Sequence, residues 1–73
     1  MTVKEIGKRI RYIRKEQGLT QSELAMTANT ATRFISDLEN GKPTCEIGKA
    51  LQVIECLGIR VELNVPHAGR DAV

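Results

Sequence analysis

Aromatic residues are nearly missing from this chain: one Tyr, one Phe and no Trp among 73 residues. That scarcity removes the stacking platforms on which single-strand and RNA binders hold bases. Histidine and cysteine are equally sparse, with His67, Cys45 and Cys56 standing alone. Residues so few form no metal-ligand cluster, and neither a metal nor any other cofactor is expected. A Cys45–Cys56 disulfide is disfavoured because both fall in one predicted helix, where helical rise separates their backbones by roughly 16 Å. No signal peptide and no apolar run long enough to span a bilayer is present, so two reduced thiols in a cytoplasmic protein are expected, with no membrane partner. Nucleophile, base and orienter do not cluster, and the glycines build no phosphate loop, which argues against an enzyme.

Excess charge is also lacking. The net charge is only +2, so bulk electrostatics argues weakly for a nucleic-acid partner. The distribution says more. Lys4, Lys8, Arg11 and Lys15 fall on one stripe of the first predicted helix, while Val3, Ile6, Ile10 and Ile13 fall on a separate, core-facing stripe. The basic stripe is either simply solvated or in part a phosphate contact.

The stretch Thr20 to Gly41, TQSELAMTANTATRFISDLENG, carries the strongest pattern. Leu24, Ala25 and Ala28 supply the inner face of one short helix, and Ile35 and Leu38 that of the next. Small Ala25 suits a close helix crossing. Asn29 stands between them, where a left-handed backbone is needed and Asn tolerates it. Two short helices joined in this way form a helix-turn-helix, whose second helix can enter the major groove of duplex DNA.

The remaining elements follow from local signals. The first helix is expected over Val3 to Gln17, with Thr2 as N-cap and Gly18 at its end. Thr20 and Glu23 form a T-x-x-E capping box at the start of the second. The third begins near Thr30 or Ala31 and stops at Asn40-Gly41. Thr44 caps the fourth, which buries Ile47, Ala50, Leu51, Ile54 and Leu57 and ends at Gly58. The period then changes to two: Ile59, Val61, Leu63 and Val65 alternate with Arg60, Glu62 and Asn64 until Pro66. No second strand exists to pair with this one. It either joins the same strand of another copy in a two-fold homodimer or forms an extended, packed tail. The expected fold is thus mainly α, a four- to five-helix helix-turn-helix domain over residues 1–65 with one C-terminal strand pairing across a homodimer. Residues 66–73 read as a flexible tail.

Candidate contact residues can be assigned from these positions. Gln21, opening the second helix, can hold a phosphate through its amide and nearby backbone N–H groups, or be solvated. Thr30, Thr32, Arg33, Ser36 and Asp37 occupy outward positions near the start of the third helix, from which base edges are reached. Arg33 leads, since a guanidinium can pair with two guanine acceptors, although a phosphate could hold it instead. Asp37 can accept from cytosine or orient Arg33 one turn back, and the second role is favoured. Phe34 better suits the core edge than base stacking. Asn40 and Lys42 are phosphate contacts beyond the helix.

The segments RKEQGLTQSELA and FISDLENGKPT resemble the phage-repressor-like Xre family of helix-turn-helix proteins over about Ile6 to Leu57. ISDLENGKPT, KALQVIECLGI and RVELNV are most similar to the HipB-type antitoxins. The resemblance implies a dimer that represses its own operon from a palindromic operator and binds a HipA-like serine/threonine kinase toxin. It also implies an ion pair between Arg14 and Glu39. Two residues depart from the family pattern: Asn29 where Gly is usual and Thr30 where Val is common. A stand-alone regulator, such as a phage repressor or restriction-modification controller, is the competing reading. A protein-interaction adaptor with a degenerate helix-turn-helix is another.

Overall fold

Four helices account for the regular structure in the computed structural model, which describes residues 1–64. Val65 and the expected tail over 66–73 lie outside the described residues.

Helix α1 spans Val3–Glu16. Its start is fixed by a capping box: the Glu5 N–H donates to Thr2 Oγ1 (3.1 Å), and the Thr2 N–H donates to Glu5 Oε1 (2.7 Å). Helix α2 spans Gln21–Thr27 and starts the same way, with Glu23 N–H to Thr20 Oγ1 at 3.0 Å and Thr20 N–H to Glu23 Oε1 at 2.8 Å. Asn29 then takes a positive φ of 56°. This lets the Thr30 N–H reach back to the Ala25 carbonyl and redirects the chain into α3, Thr32–Glu39. Helix α4 spans Ile47–Cys56.

Two details of α4 differ from the sequence-based expectation. Its N-cap is Glu46 rather than Thr44, because Pro43 and Thr44 form a turn and Cys45 packs against the core before the helix begins. Its buried face is rotated. Val53 is fully buried and Ile54 and Leu57 join it, whereas Ile47 is 76% exposed and Leu51 is also exposed. Apolar residues cover more than one stripe of α4, so the period alone admits two faces. Packing against α2 selects the one containing Val53.

The core is completed by Ile10 of α1, Leu24, Ala25 and Ala28 of the α2 region, and Ile35 and Leu38 of α3. Helix α3 packs on both α1 and α2. Gly58 ends the α4 region with φ of 78°, and the Ile59 N–H returns to the Ile54 carbonyl at 3.1 Å. Ile59 is half-buried against the core. The strand expected over 59–65 is not formed among the described residues, since a single chain offers it no edge. No helix among the described residues is long and apolar enough to cross a membrane.

The α1–α3 crossing depends on Gly7. A Cβ there would collide with the Leu38 carbonyl oxygen and lie 2.6 Å from that of Glu39, whereas a Cβ on Gly48 of α4 meets nothing within 4 Å. The two helical glycines should therefore respond oppositely to alanine. Gly7→Ala should destabilise by about 1–3 kcal/mol through overpacking. Gly48→Ala should stabilise by up to about 1 kcal/mol through helix propensity. Urea unfolding followed by circular dichroism measures both, and a stabilising Gly7→Ala would refute the close crossing.

Candidate nucleic-acid interface

The α2–turn–α3 unit presents one face of α3 to solvent because the other is occupied. Ile35 and Leu38 are buried, and Ala25 lets α2 approach closely enough to cover them. One turn away, Thr32 and Arg33 are exposed and Ser36 and Asp37 half-buried. Arg33 reaches furthest, its side chain 83% exposed. Its Nε lies 3.8 Å from Asp37 Oδ2, and Lys42 Nζ lies 3.6 Å from the same oxygen. The Lys42 N–H also donates to the Asp37 carbonyl at 3.0 Å, which folds the Asn40–Lys42 segment back beside the end of α3. Asn40 and Lys42 are exposed there. The Asp37–Lys42 pairing spans five residues across a helix end, so helical spacing rules did not reveal it.

Thr30 differs from the outward position expected for it. It precedes α3, is half-buried, and its Oγ1 is buried without a hydrogen-bond partner. The αL residue at Asn29 turns the Thr30 side chain inward, to a place suited to an apolar side chain. An unsatisfied buried hydroxyl of this kind costs about 1–3 kcal/mol. Phe34 is half-buried against the core, with Lys49 Nζ 6.0 Å from its ring centroid.

Beneath the face lies a buried ion pair. Arg14 Nε donates to Glu39 Oε2 at 2.6 Å and Arg14 Nη2 to Glu39 Oε1 at 3.0 Å, the side chains being 8% and 2% exposed. Arg14 Nη1 donates to the Leu19 carbonyl at 2.7 Å. Gln21 is half-buried, and its Nε2 donates to Glu39 Oε1 at 3.0 Å. This leaves one amide hydrogen and the carbonyl oxygen for any other contact. Sequence reasoning had no signal for this bond, because Gln21 and Glu39 are brought together only by the crossing of α2 and α3. The basic stripe of α1, Lys4, Lys8, Arg11 and Lys15, is exposed throughout.

Burial pushes the Glu39 carboxyl up, but hydrogen bonds from Arg14 and Gln21 and the charges of Arg14 and Arg11 outweigh it and hold the group below its ordinary 4.5. The hydrogen bond that Arg14 donates to the Glu39 carboxylate raises the guanidinium above its usual range. A carboxylate depressed in the folded state contributes stability above its unfolded pKa and loses it as pH falls through the folded value. Glu39→Gln leaves Arg14 buried and uncompensated, a change worth about 3–5 kcal/mol at neutral pH. The melting-temperature gap between wild type and Glu39→Gln should narrow below pH 4.5. A gap independent of pH would contradict the pair's ionised state.

A family model described as Helix-turn-helix matches residues 10–64. The chain is 51% identical over 69 residues to an uncharacterized HTH-type transcriptional regulator, y4mF, of Sinorhizobium fredii (strain NBRC 101917 / NGR234), covering 94% of this chain and 91% of that protein. It is 38% identical over 60 residues to the immunity repressor protein of Bacillus phage phi105, covering 82% of this chain but only 42% of the repressor. Among solved structures, a chain of the HipA-HipB-O2-O3 complex superposes with a TM-score of 0.82 at 21% identity, covering 90% of this chain and 93% of that one, a likeness of fold. With its α2–turn–α3 unit, its Arg14–Glu39 pair and these relatives, the chain belongs to the Xre-like helix-turn-helix family of transcriptional regulators.

Proposed function

We propose that the protein is a sequence-specific DNA-binding autorepressor, acting as a homodimer on a palindromic operator. The observation that carries this reading is the outward face of α3. Thr32, Arg33, Ser36 and Asp37 are accessible opposite buried Ile35 and Leu38, with Asn40 and Lys42 alongside. In this reading Arg33 reads guanine, Thr32 and Ser36 offer hydroxyls to neighbouring bases, and Gln21, Asn40 and Lys42 hold phosphates. Thr30 serves the turn instead of the groove.

The dimer is supported by what is left uncovered. Ile47 and Leu51 of α4 are exposed, as are Val61 and, at 91%, Leu63. Residues 60–64 make no backbone hydrogen bond to other described residues. Pairing of Ile59, Arg60, Val61, Glu62, Leu63, Asn64 and Val65 with the same segment of a second copy satisfies the backbone and covers apolar surface together. Two α3 helices related by a two-fold axis then suit half-sites about 34–36 Å apart.

The finer reading is an antitoxin of a HipBA-type module, binding a HipA-like kinase toxin. The ISDLENGKPT and RVELNV segments support it, as does the fold likeness to a chain of the HipA-HipB-O2-O3 complex. The similarity to a phage immunity repressor favours a stand-alone regulator. Co-expression with a HipA-like kinase separates the two: a complex that survives gel filtration supports the antitoxin reading, and its absence the stand-alone one.

Operator binding is tested on a duplex selected from a randomised pool. Arg33→Ala should lose about 1–3 kcal/mol on the selected site and much less on random DNA. Equal losses on both would reduce Arg33 to a phosphate contact. Ending the chain at Gly58 should weaken both dimerisation, read by sedimentation at micromolar concentration, and operator binding, leaving salt-sensitive residual affinity. A full-length chain that stays monomeric yet binds its palindrome tightly would overturn the dimer.

A further inference from the structure

Asp37 places a negative charge on the very face expected to meet DNA. Its carboxylate is only partly exposed, at 28%, whereas the Arg33 and Lys42 side chains beside it are 83% and 51% exposed. Two of them share one oxygen. Arg33 Nε stands 3.8 Å and Lys42 Nζ 3.6 Å from Asp37 Oδ2. Both distances exceed those of a hydrogen bond, so the cations are held by charge and are free to turn toward a better acceptor. Exposed pairs of this kind add little to stability, which leaves their arrangement to be explained by another role.

We propose that Asp37 is a specificity-determining residue that restrains Arg33 and Lys42 and thereby suppresses binding to non-cognate DNA. The inference rests on the DNA-binding reading and deepens it. On random duplex, a phosphate must draw either cation away from Asp37, and the carboxylate itself repels the backbone. At a cognate guanine, O6 and N7 offer Arg33 two acceptors in its own fork geometry, which offsets the separation from Asp37. One carboxylate therefore subtracts more from the wrong complex than from the right one, as discrimination built from repulsion requires.

The test measures affinity for a random-sequence duplex and for the pool-selected duplex across a salt series, using the full chain. Asp37→Asn keeps the side chain's shape and removes its charge. It should strengthen binding to random duplex roughly five- to tenfold near 0.1 M salt and steepen the log K against log salt slope by about 0.9, the signature of one added phosphate contact. The ratio of selected to random affinity should fall. Asp37→Glu, which keeps the charge, should behave like wild type. Arg33→Ala combined with Asp37→Asn should retain part of the gain through Lys42. A merely structural role for Asp37 would lower the melting temperature and weaken binding to both duplexes without steepening the slope, and that result would overturn the proposal. Unchanged random-duplex affinity and slope in Asp37→Asn would overturn it as well, with the DNA-binding reading intact. Wild-type protein that binds neither duplex at low salt would overturn both.

Discussion

The buried pair of Arg14 and Glu39 is the constraint on which the arrangement of helices depends. Arg14 sits near the end of α1 and Glu39 closes α3, so their two hydrogen bonds lock the first helix to the third. The same guanidinium holds the Leu19 carbonyl ahead of α2, and the same carboxylate holds Gln21 at the start of α2. Three helices are thus tied at one small polar centre beside the apolar core. Gly7 permits the contact by bringing α1 against the last carbonyls of α3. Burying two charges is expensive, and a well-packed apolar substitute can be as stable. What the pair supplies is direction, because planar bidentate geometry fixes how α3 is oriented relative to α1 and α2.

That orientation matters because the outward face of α3 carries few groups. With a net charge of +2 the chain has little long-range attraction for a polyanion. In the proposed DNA-binding role, discrimination would come from a small set of side chains held in register, with Arg33 the longest among them. The local charge is small as well as the total: Asp37 offsets one of the two neighbouring cations on this face. In the proposed homodimer, two-fold symmetry would double such a face and raise specificity.

Local rules made much of this legible in the sequence. The Thr20–Glu23 capping box and the Thr2 N-cap are set by residues within four consecutive positions, so no tertiary information was needed to read them, and the structure adds Glu5 as the partner that makes the Thr2 cap a second box. Asn29 was legible for the same reason, as the one residue between two apolar helical patterns able to take a positive φ cheaply. Tertiary choices were not legible. Helix α4 is apolar around much of its circumference, and only packing against α2 decides that Val53 goes inside and Ile47 stays outside. Thr30 reads as an outward neighbour of Thr32, yet the αL turn points its hydroxyl inward. The alternating segment after Gly58 has a strand pattern, yet its described residues form no strand, because a single chain offers it no edge to pair with. Within the candidate site, the outward positions of α3 follow from period alone, whereas the contacts of Gln21 with Glu39 and of Lys42 with Asp37 depend on how the chain crosses or folds back on itself.

The central claim is that the outward face of α3 contacts duplex DNA. Its most direct test is amide chemical-shift mapping of the isotopically labelled full chain as a pool-selected duplex is titrated in. The largest shifts are expected at Thr32, Arg33, Ser36, Asp37 and Lys42, with a second group at Thr20 and Gln21 and small changes on the exposed side of α1. Shifts confined to α1, or a spectrum unchanged by duplex at low salt, would contradict it.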